Sequence, residues 1–259
     1  MLKKSIFTYG LIGILLISMS MIFNLAEAAN QSAKPDIRLY TLNCGYIDIH
    51  DASSFFEPGF CPHKSMRLAD PCFLIKHPKG WMLWDLGLGD QYAAYPNHTF
   101  KDDPVGITMI VPQTLTAQLK TLGLTPQDIK FIGLSHAHFD HTGNAPLFVN
   151  STWLLQRAEY QFMQQKPLSP AVESSTFATL KNVHKKLLNG YYDVFGDSSV
   201  VILSTPGHTP GHQSLKLMLP HMGLVILSGD LYHTRLSYLY NQVPSLTPVM
   251  LKLWHQDSR

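Results

Sequence analysis

Ile129-Lys130-Phe131-Ile132-Gly133-Leu134 runs straight into Ser135-His136-Ala137-His138-Phe139-Asp140-His141. The first six residues are mostly apolar and end at turn-forming residues. That is the pattern of a buried strand delivering its C-terminal end to a loop. The loop then presents three imidazoles and a carboxylate within six residues. Imidazole nitrogen and carboxylate oxygen are the donors that a borderline divalent cation such as zinc prefers. His136 and His138, two apart, are placed to face one ion; Asp140 and His141 lie just beyond and can turn toward a second. The competing reading is a histidine-rich surface loop with no ligand. Four potential ligands crowded at the end of a buried strand count against it.

Two further loops repeat the arrangement. Val200-Val201-Ile202-Leu203 leads to Thr205-Pro206-Gly207-His208-Thr209-Pro210-Gly211-His212, and Leu224-Val225-Ile226-Leu227 leads to Ser228-Gly229-Asp230. Three apolar strands that each end in potential ligands suggest one site at one edge of the sheets. The other histidines, among them His50, His63, His77, His98 and His184, are scattered and read as surface or loop residues.

The chain around these loops has 259 residues, enough for one large domain. Hydrophobic residues make up 45% and charged ones 15%, which excludes a disordered protein. The formal charge of +2 and the lack of any Lys/Arg run give no electrostatic case for nucleic acid. Lys3 and Lys4, the apolar stretch Ile6 to Leu25, and Ala26-Glu27-Ala28 have the order of a secretory signal peptide. Residues 1–28 are therefore expected to be removed, 29–36 to be a linker, and 37–259 to be the functional domain. The product would be periplasmic or secreted, without stable membrane contact. An uncleaved membrane anchor is the alternative. Cys44, Cys61 and Cys72 would then sit in a disulfide-permissive place, and Cys61 with Cys72 would close a short loop. No C-x-x-C pair exists, so a thiolate zinc site is not expected.

Along the domain, strands are expected at 37–42, 72–76, 81–85, 129–134, 152–155, 200–203, 213–219 and 224–227. Helical spacing appears at Leu115, Leu119 and Leu122 before Gly123, and across 157–164 and 177–188. Gly45 to Met66, rich in aromatic residues, reads as a long binding loop or a loop capping its own small core. Many short strands, with helices between them rather than in strict alternation, suggest an α+β fold of two mixed sheets packed face to face with helices outside.

His136-Ala137-His138-Phe139-Asp140-His141 resembles the H-x-H-x-D-H signature of the metallo-β-lactamase superfamily. Gly207-His208 and Gly229-Asp230 fall where that family places its next ligand loops. Thr205 to Ser214 resembles the N-acyl homoserine lactonase branch, and Asp85 resembles that branch's early turn aspartate. The resemblance implies a four-layer αββα sandwich with two zinc ions. His136, His138 and His208 would hold the first; Asp140 and His141 would hold the second; Asp230 would bridge them. His212 would stabilise its own turn. Tyr232 and His233 would be placed to hydrogen-bond a lactone substrate, His233 fitting the spacing better, and Tyr46 to Phe60 would help line an acyl-chain pocket. The activity implied is opening of the lactone ring by metal-bound hydroxide, with Asp230 returning the proton. A metal can lower the pKa of bound water to about 7, a shift of roughly 9 pH units or about 12 kcal/mol.

The resemblance has one gap. The family carries a further histidine for the second metal, well downstream of the bridging aspartate. Here Val243-Pro244 resembles a segment of that region and Trp254 to Arg259 resembles entry into the terminal helix, yet His255 falls too early to match. Two readings follow: a C-terminally truncated chain with a weakened second site, or a shell completed by His221, His233 or water. The rival functions are another hydrolase of the superfamily, acting on a β-lactam, thioester or phosphodiester, and an inactive metal-binding remnant. Oligomeric state is not legible in the sequence.

Overall fold

A computed structural model describes residues 35–60, 64–102 and 106–242. The expected signal peptide, most of the linker, Cys61, His63, Val243-Pro244, Trp254 and His255 lie outside the described residues. The strands, in chain order, are β1 Arg38–Ile49, β2 Met66–His77, β3 Gly80–Trp84, β4 Thr99–Asp102, β5 Ile107–Ile110 and β6 Ile129–Gly133. They continue with β7 Thr152–Gln156, β8 Lys185–Leu188, β9 Tyr192–Asp193, β10 Val200–Ser204, β11 Gln213–Leu219 and β12 Gly223–Leu227. The helices are α1 Leu115–Thr121, α2 Phe139–Thr142, α3 Arg157–Phe162, α4 Ser174–Asn182 and α5 Arg235–Tyr240.

Two sheets result, a large one ordered β4-β5-β1-β2-β3-β6-β7-β8 and a small one ordered β12-β11-β10-β9. In the large sheet β3, β6, β7 and β8 pair in parallel, while the remaining pairs are antiparallel. Side-chain alternation along each strand sorts the apolar residues into layers. Ile75, Met82, Trp84 and Leu154 of the large sheet meet Val200, Ile202, Leu215 and Leu217 of the small one. Their in-sequence neighbours Leu74, Leu83, Trp153 and Leu155 face the other way, against Leu115 and Leu119 of α1, Tyr160 of α3 and Leu180 of α4. A third core gathers Ile47, Ile49, Phe56, Leu88 and Met109, with Leu236 of α5 packed on it. On the small sheet's outer face Leu224 and Ile226 are 57% and 53% exposed. The expected sandwich is thus present, and the described helices lie on the two outer cores rather than on that face. Among the described residues no helix is long and apolar enough to cross a membrane.

α1 starts where Thr114 accepts a hydrogen bond from Ala117 N at 3.1 Å, a side-chain cap of the kind worth about 1 kcal/mol. It ends at Gly123, whose φ of 73° suits glycine.

Three expectations need correction. The helix expected over 177–188 stops at Asn182, because Lys185–Leu188 extends and pairs with β7, filling a place at the sheet edge. Tertiary pairing overrides local spacing here. The expected long loop from Gly45 is, as far as Ile49, a continuation of β1 paired with both β2 and β5. Cys72 pairs with Cys44, not Cys61: β1 and β2 are neighbours, and their Cα atoms at these positions are 5.7 Å apart. Closeness in sequence suggested the wrong partner.

Candidate metal centre

The site forms where β3, β6, β10 and β12 end. β6 lies between β3 and β7, so the loop after it emerges beside Asp85, the residue following β3. Asp85 Oδ1 accepts from Ser135 N at 2.6 Å, and Leu86 N donates to His141 O at 2.9 Å. Gly143 N donates to Gly87 O at 2.7 Å, and a Cβ on Gly143 would lie 2.0 Å from Leu88 O. Backbone therefore rests on backbone, and only glycine fits. Asp85 itself has φ 58°, a left-handed conformation that costs a non-glycine residue energy.

Three histidines converge first. His208 Nε2 lies 3.1 Å from His136 Nε2 and 2.9 Å from His138 Nδ1. A second group joins His136, His141 and Asp230, and a third joins His208, Asp230 and His233; within each group the donor atoms lie within 4.8 Å of one another. His141 Nε2 is 3.4 Å from Asp230 Oδ1 and 3.6 Å from Asp140 Oδ2. His233 Nε2 is 3.3 Å from Asp230 Oδ2, and its ring stands edge-on to Phe55 at 5.2 Å.

Electrostatics separate the two halves. Burial holds the His136 and His208 imidazoles well below their usual range and His138 down to about 4, so all three are neutral donors. His141 moves the other way: burial opposes its charge, but Asp140, Asp230 and Asp85 raise it well above the ordinary value. Burial would raise Asp230, yet His141 and His233 hold it well below the carboxylate range. The first half is a set of neutral nitrogens and the second is rich in anions.

These residues fit a bound divalent cation. Three neutral imidazole nitrogens meeting at about hydrogen-bond distance cannot all be satisfied by the protons they carry. The buried His141 Nε2 also has no hydrogen-bond partner among the described residues. His141 Nδ1 faces Asp85 Oδ2 at 3.1 Å, the carboxylate–histidine arrangement that frees the opposite nitrogen for a metal.

All six residues expected as ligands are brought together, although Asp140 belongs to none of the three tight groups. His212 is fully buried with Nδ1 3.0 Å from Thr205 O, so that nitrogen carries the proton and ties the turn as expected. Tyr232 is at the exposed rim, against Tyr238. Of the residues considered for completing the second shell, His233 joins the His208–Asp230 side and His221 is exposed elsewhere, in the turn between β11 and β12. His77, expected at the surface, is buried: it stacks on Phe195 and its Nε2 is 3.0 Å from Asp197.

Sequence reasoning missed Glu159. This α3 residue, 1% exposed, accepts from Ala137 N at 2.7 Å, Thr209 Oγ1 at 2.7 Å and Gly211 N at 2.9 Å. It thus joins the loop of His136 and His138 to the loop of His208. A Cβ on Gly211 would lie 2.1 Å from Glu159 N, so the approach requires glycine. Burial pushes the Glu159 carboxyl up, and its three donors only partly offset this. The sole sequence signal was an acid inside a short helix directly after a buried strand.

A two-sheet sandwich with histidine and aspartate loops at one edge defines a class, and the chain belongs to the metallo-beta-lactamase superfamily, whose family model matches residues 68–247. It is a metal-dependent hydrolase of that fold. The N-acyl homoserine lactonase AttM of Azorhizobium caulinodans is 32% identical over 216 residues, covering 77% of this chain and 78% of its own. AttM of Rhizobium radiobacter is 33% identical over 212 residues, with coverage of 77% and 78%. A solved N-acyl homoserine lactone hydrolase, with the product N-hexanoyl-L-homoserine bound at its catalytic metal center, superposes with a TM-score of 0.69 at 27% identity. That match covers 84% of this chain and 87% of the other.

Proposed function

We propose that this protein is an exported dizinc lactonase that opens the ring of N-acyl homoserine lactones. One observation carries the reading: the ligand groups share His136, His208 and Asp230, and the acidic half of the site opens into a cavity of about 590 Å³. Ile47, Met66, Leu68, Phe73 and Ile226 give that cavity an apolar wall, while Asp140, His141 and Asp230 form its polar end. Such a shape suits a ligand with a polar head and an acyl tail. The lactonase relatives and the product-bound hydrolase support the same substrate class.

In this reading His136, His138 and His208 hold one ion, Asp140 and His141 hold the other, and Asp230 lies between. When bound, such ions supply a water with its pKa lowered to about 7 and a Lewis acid for the carbonyl oxygen. The protein's own groups do the rest. Water adds to the lactone carbonyl carbon and the ring C–O bond breaks. Asp230 Oδ2, facing His233 Nε2 at 3.3 Å, takes the proton that the adding water gives up and passes it to the departing ring oxygen. Tyr232 lines the same cavity, where its hydroxyl would meet the substrate head. Export is supported by the order of residues 3–28 and by the Cys44–Cys72 disulfide, a bond that persists in oxidising compartments.

The test is a metal-replete preparation assayed against acyl homoserine lactones of graded chain length, with a β-lactam, a thioester and a phosphodiester alongside. Ring opening as the preferred reaction supports the proposal. No ring opening at two bound ions per chain rejects it, and preference for another substrate selects the corresponding rival. Fractionation of expressing cells tests export separately, since retention of activity in the cytosol would exclude it.

A further inference from the structure

Asp70 lies on β2 opposite an irregularity in β1. Asn43 pairs with Pro71 and Tyr46 with Ala69, so two residues of β1, Cys44 and Gly45, stand against Asp70 alone. Such bulges redirect a strand and recur beside functional sites. The result is a carboxylate that is 6% exposed, whose Oδ2 has no hydrogen-bond partner among the described residues. It lines the same cavity as Asp85, Asp140, His141 and Asp230.

The charge around it does not balance. Asp85 is engaged by Ser135 N and His141, and Asp230 lies between His141 and His233. Of the two arginines on this cavity, Arg67 is paired with Asp48 through its Nη2 at 2.7 Å, and Arg235 is exposed. One imidazole, His141, therefore faces several buried carboxylates. A buried, unpaired carboxylate is costly unless a cation or donor meets it. Among the described residues, the first half of the site has three nitrogens, whereas the second half has His141, Asp140 and a share of Asp230.

We propose that Asp70 is a further ligand of the second cation, contributed from β2 on the cavity side. The inference rests on the two-cation reading above. An added carboxylate would make that site harder and more oxygen-rich than its neighbour, favouring ions that accept oxygen donors.

The experiment is metal titration of the apo full chain, read by bound zinc per chain against a competing chelator and by the visible spectrum of the cobalt-substituted protein. Wild-type protein is expected to bind two ions in two steps. D70N, nearly isosteric, is expected to keep the first step and to weaken the second at least 10-fold, with a changed cobalt spectrum for the second equivalent. D70H, which retains a donor, is expected to bind the second ion with a cobalt band distinct from wild type, and it answers the question should D70N fold poorly. An unchanged second step in D70N, or a weakened one with an unchanged cobalt spectrum, overturns ligation by Asp70 while leaving two cations in place. A wild-type chain that binds a single ion overturns the two-cation reading and this inference with it.

Discussion

Replacing Glu159 by glutamine changes one buried oxygen into an NH2 group and leaves the volume unchanged. Glu159 Oε1 receives Ala137 N, and Oε2 receives both Thr209 Oγ1 and Gly211 N. The amide oxygen will take the Oε2 place, where it keeps two donors, and the NH2 group will then confront Ala137 N–H. An orphaned buried N–H costs about 1–3 kcal/mol, and the two remaining bonds lose their charge assistance, together about 1 kcal/mol. The expected destabilisation is therefore about 2–4 kcal/mol at pH 7–8. Urea unfolding of the apo protein, with circular dichroism as signal, should show a lower midpoint and an unchanged slope. Because the same carboxylate joins the loop of His136 and His138 to the loop of His208, zinc affinity at that triad should fall about 10–100-fold. A midpoint shift worth less than about 0.5 kcal/mol, the size typical of an inconsequential surface change, would refute the reasoning, as would unaltered zinc affinity.

Asp85→Asn should keep the backbone, since asparagine tolerates the left-handed φ of 58°, yet it removes the carboxylate facing His141 Nδ1. A loss of about 10–100-fold in affinity for the ion at His141, measured by chelator competition, is expected. The Cys44–Cys72 bridge spans 28 residues, for which the loop-entropy relation gives about 3–4 kcal/mol; Cys44→Ala, compared with wild type with and without reductant, should lose about that much. Peptide mapping that links Cys72 to any other cysteine would contradict the assignment. Asp197 provides a pH test away from the metal centre. Burial pushes it up, but Ser199 and His77 outweigh this and hold it below the usual value. Its stabilising contribution is thus fully present above the unfolded-state pKa of about 3.9 and is lost as pH falls through the lower folded-state value. Asp197→Asn should cost about 1 kcal/mol at pH 7 and progressively less below about pH 4, by thermal melts across that range.

The ligand loops were legible because each follows a run of apolar residues, and burial periodicity together with ligand chemistry survives in a linear string. β6 into His136, β10 into His208 and β12 into Asp230 needed no tertiary information. What escaped notice depends on pairing between distant segments. Lys185–Leu188 is a strand because β7 lies beside it, and Cys44 meets Cys72 because β1 returns as β2. Glu159 and Asp70 are ordinary acids in sequence. Only the approach of Gly211 to α3 and the bulge at Cys44-Gly45 give them their surroundings.

The proposed ligands are drawn from both sheets: His136, His138 and His141 follow β6 of the large sheet, whereas His208 and Asp230 follow β10 and β12 of the small one. A cation shared among them would act as a rivet through the sandwich edge. Its escape then requires the sheets to part there, so the off-rate of the metal becomes a clock for that opening. Amide exchange at the ends of β6 and β10 should slow together when the rivet is in place, while the far end of the sandwich keeps its own rhythm.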